Sequence, residues 1–547
     1  MSGGYSEASL ISHQPKRLRL LYEPLCLLHT LSEVRGDRIK PGDILSEGPG
    51  LTAPGCYRSF VDAIAYICAY RKKPGYVTAA ALEEAPDAIV VLLAANNDID
   101  TAVVTLLEKV VMILSWIIDN PTVRLDTNEA RGAMKILTAY VLDLNAPKIF
   151  DYYQRVNKLV SLVMGRLNAE SGLKGTQPCL QGERLLLDIK ADEALPPRAD
   201  QDSIINLRNW VATHLSKSNM QLQESDMPSL ALSSYRDREV FKALHHTTGS
   251  LELSRNFERL HKLLYKLGKH VAQCKRLIEA TIRLRLELSR GLRIETIGGS
   301  WENRIPLLAR TCNIQSISRR IFSDPAKQDI FLRQLQQIYS EKELDRVLSK
   351  DLCKGKTRVH AELLVLDHFE QTGGRFLDER DRYIGCSKPA CYLCHLFISC
   401  HPRGYASPPS HQKLYLNWRL PDVRTDEQNA ATRFQHQQGV LFRMIDTVRR
   451  DLTNDIAARV GKRMGFADST AGGTSTVIDI GTDLSPSMAS LSLDELLKTL
   501  DRQDGAGRGP REPHMDPKFN PCGVPLFPSE TSVEAGSDDS STGGVGI

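Results

Sequence analysis

Two cysteines three residues apart, Cys391 and Cys394, follow a His-x-Glu pair, His360 and Glu362, by about thirty residues, and this spacing restricts the chain more than any other feature. Cysteines at i and i+3 on a helix start point to one side, where the helix dipole favours their thiolate forms. They make a two-point clamp for zinc. One imidazole from a neighbouring helix start completes a His-Cys-Cys set and leaves the fourth tetrahedral position open for water. Glu362 lies two residues beyond His360, close enough to approach that water without being a ligand, and a zinc-bound water ionises near neutral pH. Singly each motif is weak. Together, in this order and with both parts at expected helix starts, the combination is strong.

The local pattern supports those placements. VHAELLVLDHFEQ, from Val359, lacks Pro and Gly, carries Leu364, Val365, Leu366 and Phe369 for a buried face, and stops at Gly373-Gly374, which predicts a helix. RYIGCS, from Arg382, reads as a short buried strand. Ser387 is placed to cap a second helix running through PACYLCHLFISC, with Pro389 tolerated in its first turn. KLYLNWRL, from Lys413, alternates with Leu414, Leu416, Trp418 and Leu420 on one face and reads as another strand. Helix, strand, helix, strand is the order of an α/β layer.

The run H-A-E followed by Y-I-G-C-S-K-P-A-C-Y-L-C resembles the deaminase-like proteins abundant in fungi, a branch of the cytidine-deaminase-like superfamily of nucleotide and nucleic acid deaminases. The resemblance covers some seventy to ninety residues. It implies that His360, Cys391 and Cys394 hold Zn2+, that Glu362 shuttles the proton, and that the domain is a three-layer α/β/α sandwich. Its reaction would be hydrolytic deamination of a nucleobase, free or within a nucleotide or nucleic acid. One departure concerns the residue before the first cysteine: the superfamily usually has Pro there, whereas this chain has Ala390, with Pro389 one earlier. A shift in the start of the helix is expected from it.

Other readings of the same residues stand beside this one. Cys386, Cys391, Cys394, Cys400 and His401 are close enough in sequence to build a closed structural zinc site. The fold could also serve as a zinc-free interaction scaffold. Cys386 reads as a small buried hydrophobe, and His395 could face the site or the core. Lys388 and Tyr383 read as a solvated lysine and a core tyrosine, with pocket-lining roles as the alternative. Trp418 reads as core, with base stacking as the alternative.

Around this segment, residues 1–245 read as a mostly helical region. AIVVLLAA, TAVVTLLEKVVMILSWIID and EARGAMKILTAYVLDL carry apolar residues at three- and four-residue steps, broken at Asn96-Asn97, Asn120-Pro121 and Pro147. The stretch from Gly182 to Asp202 is expected to be a surface connection. Residues 246–345 are expected to form a basic helical arm or hairpin. Its apolar stripe is Leu253, Phe257, Leu260, Leu264, Leu267, Val271, Cys274 and Ile278, and eleven Lys or Arg face three Glu between Ser254 and Ile294. That face could bind nucleic acid, but without interleaved aromatics a solvated face over a helical seam is the expectation. The deaminase-like domain is assigned to 346–425, an amphipathic helix to 426–465, and a disordered acidic tail to 466–547. The tail holds thirteen acids against five Lys or Arg, so the chain's net +4 becomes +12 on residues 1–465. Within it, Leu491–Leu500 could fold on a protein partner's groove.

The fold class expected is therefore α+β and multidomain: a mostly helical N-terminal half, a three-layer α/β/α domain of cytidine-deaminase-like type, and a disordered C-terminal tail. No uninterrupted apolar run reaches bilayer-spanning length, so no membrane partner is expected. Scattered cysteines and the lack of a secretory signal order point to an intracellular chain, cytoplasmic or nuclear. PKRLRL at Pro15–Leu20 is too short and leucine-rich to argue nuclear import.

Overall fold

The computed structural model describes residues 15–40, 53–170, 201–215, 222–242, 251–300, 303–304, 313–340, 342–344, 346, 348 and 356–464 of the 547-residue chain. The expected tail, its Leu491–Leu500 segment and nearly all of the Gly182–Asp202 connection lie outside the described residues. The strands are β1 (Thr78–Glu84), β2 (Ile89–Ala95), β3 (Leu292–Ile297), β4 (Asn303–Arg304), β5 (Lys356–Thr357), β6 (Arg375–Phe376) and β7 (Gly385–Cys386). Among the described residues the longer helices are α1 (Pro15–Leu31), α2 (Ala53–Cys68), α3 (Thr101–Asp119), α4 (Asn128–Glu170), α5 (Gln201–His214), α6 (Met227–Arg236), α7 (Arg238–Lys242), α8 (Leu251–Leu267) and α9 (Lys269–Arg283). They continue with α10 (Ile314–Ile321), α11 (Pro325–Ile338), α12 (Ala361–Thr372), α13 (Tyr392–Ser399) and α14 (Ala430–Met464).

A five-stranded mixed sheet positions the site, in the order β3-β2-β1-β6 with β7 also on β1; β2 and β3 run parallel and the other pairings are antiparallel. This corrects the helical reading of AIVVLLAA. Ile89–Ala95 is a strand buried along its whole length, and β1 pairs with it from Thr78↔Ala95 to Glu84↔Ile89. A short apolar run buried on both faces has no periodicity to separate strand from helix, so only pairing decides it. Ala79, Ala81, Val90, Leu92 and Ala94 face one core with α1 and α10–α14, while Ala80, Leu82, Ile89, Val91 and Leu93 face a second with α2, α3, α9 and the start of α4. Helices on both faces of a sheet give three layers. A third core joins the rest of α4 to α5–α8.

The expected segments 1–245, 246–345, 346–425 and 426–465 do not form separate bodies. Residues Met1–Met464 make one compact unit, and the sheet draws strands from three of the four segments. The expected basic arm is a wall of that unit: Phe257, Leu260, Leu264, Leu267 and Val271 of its stripe are buried in the third core, and Cys274 and Ile278 in the second. The stripe changes direction at Gly268, between α8 and α9, where a Cβ would lie 2.7 Å from the Tyr235 nitrogen. Pro147 does not end its helix. Asn145 and Lys148 flank it in α4, and their side chains donate to the Ile67 and Ala69 carbonyls at the end of α2. Those tertiary anchors hold α4 through the lost hydrogen bond.

α3 is, by length and composition, apolar enough to cross a bilayer, which a count of uninterrupted runs overlooks. Its Val103, Leu107, Val110, Leu114 and Ile117 are buried against the sheet. α14 matches the expected amphipathic helix, burying Val440, Ile445, Val448, Leu452 and Ile456. It packs on α1, α11 and α13, outside the sheet-covering layer.

β7 crosses α2 closely. A Cβ on Gly385 would sit 2.7 Å from the Asp62 nitrogen and the Val61 carbonyl carbon, both backbone. Gly385→Ala should cost about 1–3 kcal/mol of unfolding free energy, because neither backbone can yield without disturbing the sheet or the helix. A urea midpoint equal to wild type would contradict this close packing.

Candidate metal centre

His360 is the N-cap of α12 and Cys391 the N-cap of α13, so two helix starts meet at one point. The His360 Nδ1 lies 3.5 Å from Cys391 Sγ and 3.3 Å from Cys394 Sγ. For tetrahedral zinc, bonds of about 2.3 Å to sulfur and 2.0 Å to nitrogen place those atoms about 3.5 Å apart. Both nitrogen–sulfur distances therefore suit the ion, and all three donor atoms lie within 4.8 Å of one another. All three side chains are buried, as is Glu362, whose Oε2 has no hydrogen-bond partner. A buried carboxylate oxygen without a partner is costly in a finished structure, and it stands beside the three donors.

Local contacts explain the arrangement. The Ala361 N–H, an otherwise unpaired donor at the start of α12, bonds Asn96 Oδ1 at 2.8 Å, and the Asn96 amide donates to the Pro74 carbonyl. Asn96 directly follows β2 and ties the His-x-Glu helix to the end of that strand. The Cys394 N–H donates to Cys391 Sγ at 3.4 Å, so the first ligand also caps its own helix. Ala390 is used through its backbone: its N–H donates to the Pro409 carbonyl, and its carbonyl accepts from Ser410 Oγ and the His411 N–H. A proline there would lose the first of these bonds. The expected cap at Ser387 is not observed, since α13 begins at Tyr392 and Ser387 Oγ instead accepts from the Thr78 N–H.

The electrostatics suit a cation. Burial raises the Cys391 thiol, but hydrogen bonding with Cys394 and the charge of His360 outweigh it and hold the thiol well below its ordinary range. Burial lowers His360, yet the Cys391 charge and hydrogen bond bring it out above its usual value. Cys394 is pushed well above its usual range by burial and by Cys391. A divalent ion displaces the protons held in such a set. Burial also raises Glu362, against the pull of His360.

The other residues singled out in sequence go elsewhere. Cys386 donates its thiol to the Thr78 carbonyl at 3.2 Å, and the His395 Nδ1 lies 2.9 Å from the Pro408 carbonyl. KLYLNWRL forms only single bridges, Val34↔Lys413 and Arg358↔Trp418, because a positive φ at Gln412 and a turn at Leu416–Asn417 interrupt it. Leu414, Trp418 and Leu420 are buried as the alternation predicts, and Trp418 is core at 0% exposure. Tyr415, which the sequence did not single out, is 39% exposed with its ring 6.3 Å from that of His360. Cys400 and His401 sit at the far end of α13. Among the described residues one other group could hold a metal, Glu370, His401 and His436. The Glu370 oxygens there are already engaged by Tyr405 OH at 2.7 Å, His436 at 3.1 Å and Arg403 at 3.3 Å.

On the other side of β7, Asp62 Oδ1 accepts from Tyr383 OH at 3.0 Å and from the Cys386 N–H at 3.3 Å, so Tyr383 is a core residue with a polar partner. Burial pushes the Asp62 carboxyl up to about 6, against the pull of Tyr383, the Cys386 N–H, Lys269 and Arg276. A carboxyl raised on folding favours the fold below its unfolded value near 4, and that stability is lost as pH rises through 6. Asp62→Asn keeps an acceptor for both bonds. It should gain about 2 kcal/mol at pH 7 and none at pH 3.5; denaturation midpoints at the two pH values check this.

Three buried donors with an unpartnered carboxylate oxygen beside them form a candidate metal centre. Residues 359–422, which contain all four side chains, match the model of a family described as "OTT_1508_deam:-like deaminase". No curated protein and no solved structure matches the chain.

Proposed function

We propose that this chain is a zinc-dependent hydrolytic deaminase acting on the exocyclic amino group of a nucleobase, within a cytidine-deaminase-like domain. One observation carries the proposal: the Glu362 carboxylate is buried with a free oxygen beside three donors spaced as zinc requires. The match of residues 359–422 to a deaminase family supports it. His360, Cys391 and Cys394 would hold the ion, which when bound supplies an activated water near neutral pH. Glu362 takes a proton at Oε2 and returns it to the departing nitrogen. One water is consumed, the ring carbon exchanges its C–N bond for a C–O bond, and ammonia leaves. The partly exposed Tyr415 ring is placed to stack on a flat base.

The test is a metal assay with ammonia-release screening over cytosine, adenine and guanine compounds, as nucleosides, nucleotides and oligonucleotides. One zinc per chain and ammonia from one base class are expected. A zinc with four protein ligands, or no ammonia from any of these compounds by zinc-loaded protein, would overturn the reading.

A further inference from the structure

We propose that the base is presented on a single-stranded polynucleotide whose phosphates lie in a basic trough along α8 and α9 leading to the metal centre. This inference rests on the deaminase reading and extends it to the substrate class. The trough begins as a cavity of about 640 Å³ lined by seven Lys and Arg side chains and a single carboxylate, Glu279, which pairs with Lys275 at 3.8 Å. A second cavity of about 160 Å³ adjoins it, sharing Lys269, Gln273 and Arg276. The second cavity is lined by Ser387, Lys388, Pro389 and Ala390, the four residues that run into Cys391. Asp62, hydrogen-bonded to Tyr383 and the Cys386 N–H, is the one carboxylate on its lining, so Lys269, Arg276 and Lys388 leave the two cavities net positive from the α8–α9 face to the edge of the candidate site.

Charge and aromatic placement favour a polymer. Lys266 and Arg276 are exposed, Lys269 is half-buried, and none has a carboxylate within 4 Å among the described residues. Burial, then the like charges of Arg38, Arg155, Lys262 and Lys388, push the Lys266 amine down; burial lowers Lys269 too, with Asp62 pulling the other way and Arg276 and Lys266 adding to the lowering. A bound anion relieves that repulsion. A polynucleotide offers one charge per phosphate along the whole trough, whereas a free nucleotide concentrates its charge at one end. Tyr265, 43% exposed, stands in the trough between Lys262 and Lys266, and Tyr235 lines it opposite under the Arg238 guanidinium. Tyr265 stands in the α8 sequence itself and the fold adds Tyr235 from α6, which gives the trough two rings on which bases could stack.

The test uses the full chain and fluorescein-labelled 20-nucleotide single-stranded DNA and RNA, read by anisotropy from 50 to 200 mM salt. Binding to at least one is expected, and the combined Lys266→Gln, Lys269→Gln, Arg276→Gln variant should bind at least tenfold more weakly with its log–log salt slope reduced by about 2. Lys266→Gln alone, at an exposed position, should reduce the slope by about 0.7 and guards against a folding failure. Arg131→Glu with Lys135→Glu, exposed on α4 and about 25–32 Å along that helix from Tyr152, whose ring lies 5.8 Å from the Lys266 amine, should leave binding unchanged. No binding to either polymer, an equal loss in the α4 variant, an unchanged slope in the trough variants, or displacement by a nucleoside triphosphate at equal phosphate concentration would overturn the proposal. Ammonia from free nucleosides without oligonucleotide binding would end this proposal and keep the deaminase reading. Trough-dependent binding by a chain that takes up no zinc would end the deaminase reading instead.

Discussion

Glu362→Ala is expected to lower ammonia release by about 10³-fold while the chain still binds one zinc. Glu362 is not among the three donors, and its Oε2 has no partner to lose. Positioned proton transfer contributes about 10²–10⁴ in rate, and nothing else at the site offers a carboxylate in that place. The same change removes a buried carboxylate that burial already disfavours, so the variant should be no less stable than wild type. Reduced activity with full zinc content and an unchanged melting temperature is the expected pattern. Loss of zinc in Glu362→Ala would make the carboxylate a fourth ligand and the site a closed one, and full activity would remove it from the chemistry.

Stripping the metal should have the second largest effect. The three donors join α12 to α13 in the core beneath the sheet, and a ligand that binds only the folded state stabilises it by about 4 kcal/mol at a thousandfold excess over its dissociation constant. A chelator should therefore lower the melting temperature by several degrees, with zinc restoring it. Cys394→Ala should lower it in the same way and make it insensitive to chelator. Cys394 is fully buried, so its loss combines a missing ligand with a small cavity. Melting of wild type that ignores chelator and added zinc would remove the metal from this site.

The candidate site was more legible than the sheet that carries it. His360, Glu362, Cys391 and Cys394 announce themselves because metal ligands must be particular residue types, and helix ends have local signals such as the Gly373 stop, observed at φ 69°. The α14 stripe and the α8–α9 stripe were legible for the same local reason. β1 and β2 were not, because Ala79–Leu82 and Ile89–Ala95 are apolar on both faces. Asn96 passed for a helix break although its side chain fastens the His-x-Glu helix, since a capping partner 265 residues away leaves no trace in spacing.

By itself the sequence determined which residues can gather a divalent ion, that helices carry them, and which helical faces turn inward, because these depend on side-chain chemistry and on neighbours within a few positions. Only the tertiary structure decided that the N-terminal half supplies the central strands, that Cys386, Cys400 and His401 stay apart from the three donors, and that the basic helices form a wall beside the site. Those outcomes rest on contacts between distant segments, where burial on two faces and backbone pairing override what any short stretch prefers.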